Sequence, residues 1–170
     1  TDRDNDDAVK VAVVHGAGGT GKTRLCVELG VALTEGSWVT GFVPRGVQGS
    51  VDEGVFAALE RSSGDTLVVV DYADGRNTDD LLSLLAAARS RSGEGRLRVV
   101  LSSRQDLGWW DRLKALAGES GMTIESTVLD ELWSQSQLGG RVARAALRRF
   151  GVASRDLMVT DDWVVLDLVL

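Results

Sequence analysis

The chain has 170 residues, 44% hydrophobic and 26% charged, enough for one domain with a buried core, or one domain and part of the next. Its net charge of −6 argues against a general role on nucleic acid or on an anionic membrane surface, because both attract basic proteins. A single cysteine, Cys26, excludes an internal disulfide and fits a reducing cytoplasm, and no apolar run is long enough to span a bilayer.

Residues 1–8 read as a solvated acidic tail. Residues 10–14 (KVAVV) then form a short buried strand, and residues 16–23 read Gly-Ala-Gly-Gly-Thr-Gly-Lys-Thr, a complete G-x-x-x-x-G-K-[ST] string. A helix is predicted from about 21 to 34, followed by a strand over 38–43 and a helix over 51–62. A strand over 66–70 (TLVVV) precedes a helix over 78–91. A strand over 97–102, a helix over 106–118 and a strand over 122–129 complete the alternation. Strands alternating with helices at this spacing predict a five-stranded parallel sheet sandwiched by helices, and runs such as LVVV, which lack polar alternation, suit strands covered on both faces. The nucleotide-binding unit is placed at 9–130. Beyond it the pattern is helical only, over 132–150 and 162–170, so 131–170 is taken as the start of a truncated helical lid. The beginning at Thr1 and the apolar last residues lead us to expect a piece of a larger protein.

The glycine-rich string carries the most specific chemistry. A loop can turn its N–H groups toward phosphate oxygens only where side chains are small and positive φ is cheap, which suits Gly16, Gly18, Gly19 and Gly21, with Ala17 and Thr20 completing the loop. Lys22, one of three lysines in the chain, adds a point charge. Thr23 offers a hydroxyl to Mg2+, Arg24 follows at the ligand end, and the helix that opens here directs the positive end of its dipole at the same spot. The loop is therefore expected to bind nucleotide.

Ligands of parallel sheets sit where the strands end. The third strand ends at Asp71, which has the form of a Walker B carboxylate holding Mg2+ directly or through water, the plainer alternative being a cap. Asp74 is the candidate for orienting the attacking water, or it merely shapes the Asp74-Gly75 turn. The fourth strand ends in Ser102, Ser103 and Arg104. Arg104 is positioned to reach a γ-phosphate and stabilise the charge of the transition state, or else to pair on the surface with Asp106 or Asp111. Arg76, just past the acidic site, is left between phosphate and a neighbouring subunit. Arg141, Arg144 and Arg148 form a helical stripe that reads mainly as a solvated face. Cys26 reads as core, His15 as strand-end packing, and Trp109 with Trp110 as packing more than base stacking.

Three segments, GAGGTGKTRL (16–25), VVVDYADGR (68–76) and RVVLSSRQDLGWW (98–110), together resemble the STAND class of P-loop ATPases, which includes the NB-ARC and NACHT switch modules, and especially its bacterial members. The resemblance spans about residues 9–150. It implies strand order 5-1-4-3-2, with the strand that ends at Arg104 lying between the first strand and the Walker B strand. It also implies a multidomain signalling or defence regulator that ADP keeps closed and that ATP opens and lets self-associate. Two positions depart from the class. Asp74 stands where Glu is commoner, which shortens the carboxylate by one methylene and points to slow hydrolysis. The class proline near adenine has no counterpart, since Pro44 is the only proline.

ATP is preferred over GTP because no Asn-Lys-x-Asp string is present to read guanine, and Ala17 stands where partition ATPases carry lysine. The expected function is a slow, regulated, Mg-dependent ATPase switch. The alternatives are an ATP- or ADP-gated assembly module without hydrolysis, and a small-molecule phosphotransferase with residues 141–149 as its lid. Expected partners are nucleotide, other copies of the chain and further domains of the same protein. Neither membrane nor direct nucleic-acid contact is expected.

Overall fold

The computed structural model describes residues 9–46, 50–91, 93–104, 108–119 and 126–129. The expected acidic tail at 1–8, the helical lid at 131–170 and the Arg141/Arg144/Arg148 stripe lie outside these residues. In chain order the elements are β1 (Val9–His15), α1 (Lys22–Glu35), β2 (Val39–Phe42), α2 (Glu53–Arg61) and β3 (Thr66–Val70). A short 3-10 turn (Ala73–Gly75), α3 (Thr78–Ser90), β4 (Leu97–Ser103), α4 (Gly108–Glu119) and β5 (Ser126–Leu129) follow.

The strands form one sheet in the order β2-β3-β4-β1-β5, every neighbouring pair parallel. β4 lies between β1 and β3, with Val13 opposite Leu101 on one side and Val69 opposite Val100 on the other. Each crossover carries a helix, as parallel pairing requires. All five residues of β3 and all seven of β4 are buried, the outcome that their unbroken apolar runs dictate. Side chains alternate between two cores. Val11, Val13, Val68, Val70, Val99 and Leu101 meet Leu59, Leu81, Leu84, Leu85, Ala88, Trp110 and Leu113 of α2, α3 and α4. Ala12, Val14, Leu67, Val69 and Val100 meet Leu25, Cys26, Leu29 and Leu33 of α1, together with Trp38. Each fully buried Val or Leu contributes about 1.5–3 kcal/mol, so these two layers hold the strand ends in fixed relation.

Helix starts differ in a way that matters for the site. The Asp52 carboxylate accepts from Gly54 N at 2.7 Å and begins α2 two residues later than the expected 51. Asn77 caps α3 by accepting from Asp79 N at 2.9 Å. Helix α1 has no side-chain cap, and Gly21 precedes it in a left-handed conformation with φ 84°. β2, the edge strand, is shorter than the expected 38–43, with Trp38 and Val43 buried on either side of it. No helix among the described residues is long and apolar enough to cross a membrane.

Candidate functional site

β1, β3 and β4 end at the same rim of the sheet, and each delivers a loop there. The loop after β1 rises through Gly19 at φ 78° and Gly21 at φ 84°, where an added Cβ would be strained whatever the space around it. Ala17, Gly18, Gly19 and Gly21 are exposed. The loop is anchored at its start, where Gly16 N donates to the Ser103 carbonyl at 3.3 Å. Within it the Thr20 hydroxyl donates to the Ala17 carbonyl at 2.9 Å. Because α1 starts uncapped, the first amides of that helix are open to an anion, with the helix dipole behind them.

Lys22 opens α1 and is 7% exposed. Its ammonium donates to the carbonyls of Gly16 and Ala17, both at 2.7 Å, and to the Thr20 hydroxyl at 3.3 Å. These acceptors are neutral. Burial pushes the Lys22 pKa down, Arg104 adds to this by repulsion, and Asp71 and Asp74 oppose it. A buried cation whose hydrogen-bond acceptors are all neutral has no anion in direct contact, and a phosphate would supply one.

At the end of β3 the Asp71 carboxylate is fixed on both oxygens. Oδ2 accepts from the Thr23 hydroxyl at 3.0 Å, so the phosphate loop and the third strand meet through these two side chains. Oδ1 accepts from the Ser102 hydroxyl and from Tyr72 N, the latter at 3.2 Å. Ser102 is 1% exposed and also accepts from Tyr72 N at 3.1 Å. Hydroxyl and carboxylate oxygens are the hard donors that Mg2+ takes, together with water and phosphate, so this pair fits such an ion.

Asp74 lies in the 3-10 turn, where its Oδ2 accepts from the main-chain N of Arg104 at 3.3 Å. The carboxylate thus joins β4 rather than only shaping its own turn. The Arg104 guanidinium lies 4.5 Å over the Tyr72 ring, and its Nη2 donates to the Tyr72 hydroxyl. Its Nε is 4.0 Å from the position that a Cβ on Gly18 would take. Arg104 therefore spans from the third strand's end to the phosphate loop. Asp111 instead pairs with Lys114 at 2.8 Å, and Asp106 is outside the described residues.

Other side chains take structural places. Arg76 donates to the carbonyls of Val43 at 2.9 Å and Pro44 at 2.7 Å, and through Nε and Nη2 to that of Asp71 at 3.4 Å. It is a brace between the ends of β2 and β3, committed to main-chain oxygens instead of phosphate. Arg24 pairs with Glu28 at 2.5 Å along the surface of α1. Cys26 is core, and burial pushes its thiol up to about 12. Trp110 is fully buried, while Trp109 donates its indole N–H to the Ser103 hydroxyl at 3.0 Å. The roles of Ser102, Ser103 and Tyr72 escape the sequence reading. Their only signal is a pair of serines closing an apolar strand and an aromatic residue directly after Asp71.

The rim thus gathers a phosphate loop with a buried lysine, a hydroxyl–carboxylate pair and an arginine from three successive strand ends. A search of curated proteins finds no matching relative. The family model described as Novel STAND NTPase 5 matches residues 1–116, which include every side chain of this rim. The chain belongs to that family and is a STAND-class NTPase domain.

Proposed function

We propose that this domain binds ATP with Mg2+, hydrolyses it slowly, and works as the nucleotide-gated switch of a multidomain signalling or defence regulator that self-associates in its ATP state. The observation that supports this best is the 3.0 Å bond between Thr23 and Asp71, which brings the loop hydroxyl and the Walker B carboxylate to one point beside Lys22. In this reading Lys22 and the open amides of α1 bind the phosphates, and Thr23 and Asp71 hold the metal. Asp74 accepts a hydrogen bond from the attacking water, and Arg104 faces the charge that develops on the transferred group. Mg2+ held there would supply charge neutralisation for the phosphates. A nucleotide moves such a switch only by binding its two states unequally, so the group that distinguishes triphosphate from diphosphate carries the signal.

The test is turnover of Mg-ATP by purified protein beside a folded Lys22→Ala control. Release of phosphate above that control supports the reading, and equal rates overturn it. A second reading, an assembly module that binds nucleotide without hydrolysing it, is favoured by one observation. The short carboxylate of Asp74 is engaged by the Arg104 main chain, a hydrogen bond that occupies one of its oxygens. Tight binding with intact ATP recovered after long incubation would select this second reading.

A further inference from the structure

Tyr72 has φ 53°, and Ser37 is the only other non-glycine residue with positive φ among the described residues. A left-handed backbone is costly for an aromatic residue, and glycine or asparagine would adopt it more cheaply. Local hydrogen bonds hold the turn in this shape: Tyr72 N donates to Ser102 and Asp71, and Gly75 N donates to the Tyr72 carbonyl at 3.0 Å. None of those bonds uses the tyrosine side chain. What the side chain adds is a ring under the Arg104 guanidinium and a hydroxyl on its Nη2. Strained residues of this kind concentrate where a site must be held in one arrangement.

We propose that Tyr72 is the positioning residue for Arg104: ring and hydroxyl together fix the guanidinium with its Nε edge toward the phosphate loop at Gly18, so that the site favours nucleoside triphosphate over diphosphate. This rests on the reading of Arg104 as the group that meets the terminal phosphate. An arginine left free has many rotamers to lose when it meets a phosphate, and a stacked one has already lost them. The turn fixes the arginine twice, since Asp74 also accepts from its main-chain N. Among the described residues no carboxylate pairs with the Arg104 guanidinium, so its charge is held by a neutral ring and hydroxyl and is available to an anion. Its repulsion adds to burial in lowering the Lys22 pKa.

The experiment is calorimetric titration of the full chain with Mg2+ and either ADP or a slowly hydrolysed ATP analogue. Tyr72→Asn removes ring and hydroxyl while suiting the left-handed turn, and Tyr72→Gly is its replacement should it fold poorly. Arg104→Ala is expected to weaken triphosphate binding about tenfold, as loss of a charge-assisted hydrogen bond does, and to leave diphosphate within about twofold. Tyr72→Asn should reproduce most of that loss, about fivefold, and add nothing in the Arg104→Ala background. Tyr72→Phe, which keeps the stack, should retain most of the preference. A merely structural tyrosine would weaken both nucleotides together. The role of Tyr72 is overturned if Tyr72→Asn keeps the full triphosphate preference, raises it, or loses affinity additively with Arg104→Ala. Equal effects of Arg104→Ala on both nucleotides would instead overturn the reading of Arg104, and the role of Tyr72 with it.

Discussion

At the rim where the strands begin, Asp65 and Arg96 close on each other at 2.6 Å, the Arg96 guanidinium lies 4.9 Å over Trp38, and Arg91 donates to the carbonyls of Ser62 at 2.8 Å and Gly64 at 2.6 Å. At the rim where they end, an arginine again lies over an aromatic ring, but its carboxylates are engaged elsewhere: Asp71 by Thr23 and Ser102, Asp74 by a main-chain N–H. The two rims use the same kinds of side chain. The difference is pairing. Where carboxylate meets guanidinium directly the charges cancel and the rim is sealed, whereas Asp71 and the Arg104 guanidinium are held by neutral groups and their charges stay uncancelled.

Four substitutions break or sharpen this contrast. Lys22→Ala, at the ligand rim, should reduce turnover by about 10²–10³-fold and abolish stabilisation by nucleotide in thermal melts, while the unliganded protein stays folded because a buried cation has been removed. Asp71→Asn should lower turnover by about 10²-fold and flatten its dependence on added Mg2+, read by titrating the metal after chelation. Arg76→Ala separates bracing from chemistry. It leaves the carbonyls of Val43, Pro44 and Asp71 without this donor and should cost about 2 kcal/mol in denaturant unfolding, and Arg76→Lys should restore only part because one ammonium cannot span the same oxygens.

The smallest effect belongs to the sealed rim. Asp65→Asn should cost about 1 kcal/mol at neutral pH and leave turnover within about twofold, since the ion pair is partly exposed. The hydrogen bond from Arg96 holds the Asp65 carboxyl below its ordinary value of 3.8. Its folded-state pKa is therefore depressed, so its contribution is whole above 3.8 and lost as pH falls through the lower folded value. An acid titration of stability should lose that component in the variant. A large loss of turnover in Asp65→Asn would break the division between the rims.

The strands and the phosphate loop were legible because their signals are local. TLVVV, short, β-branched and without polar alternation, suits a strand covered on both faces, and the spacing of Gly16, Gly21 and Lys22 has few uses other than phosphate binding. The placement of Asp71 and Arg104 at one rim was legible, since both are polar residues just past apolar strands of a parallel sheet. Arg76 was not, because its partners are main-chain oxygens 32 and 33 residues away and leave no mark in the side-chain sequence. Tyr72 was not, because its stacking on Arg104 depends on a left-handed turn that tyrosine does not announce. Ser102 resembles any strand-end serine until the parallel register sets it beside Asp71.

Ser103 holds the first amide of the phosphate loop with its carbonyl and the indole of Trp109 with its hydroxyl. One residue thus ties a fluorophore to the mouth of the loop. Filling or emptying the loop should change the emission of that indole without any label, and Trp109→Phe should silence the change while nucleotide still binds. Such a response would give the domain its own optical gauge of occupancy, suited to following exchange in real time.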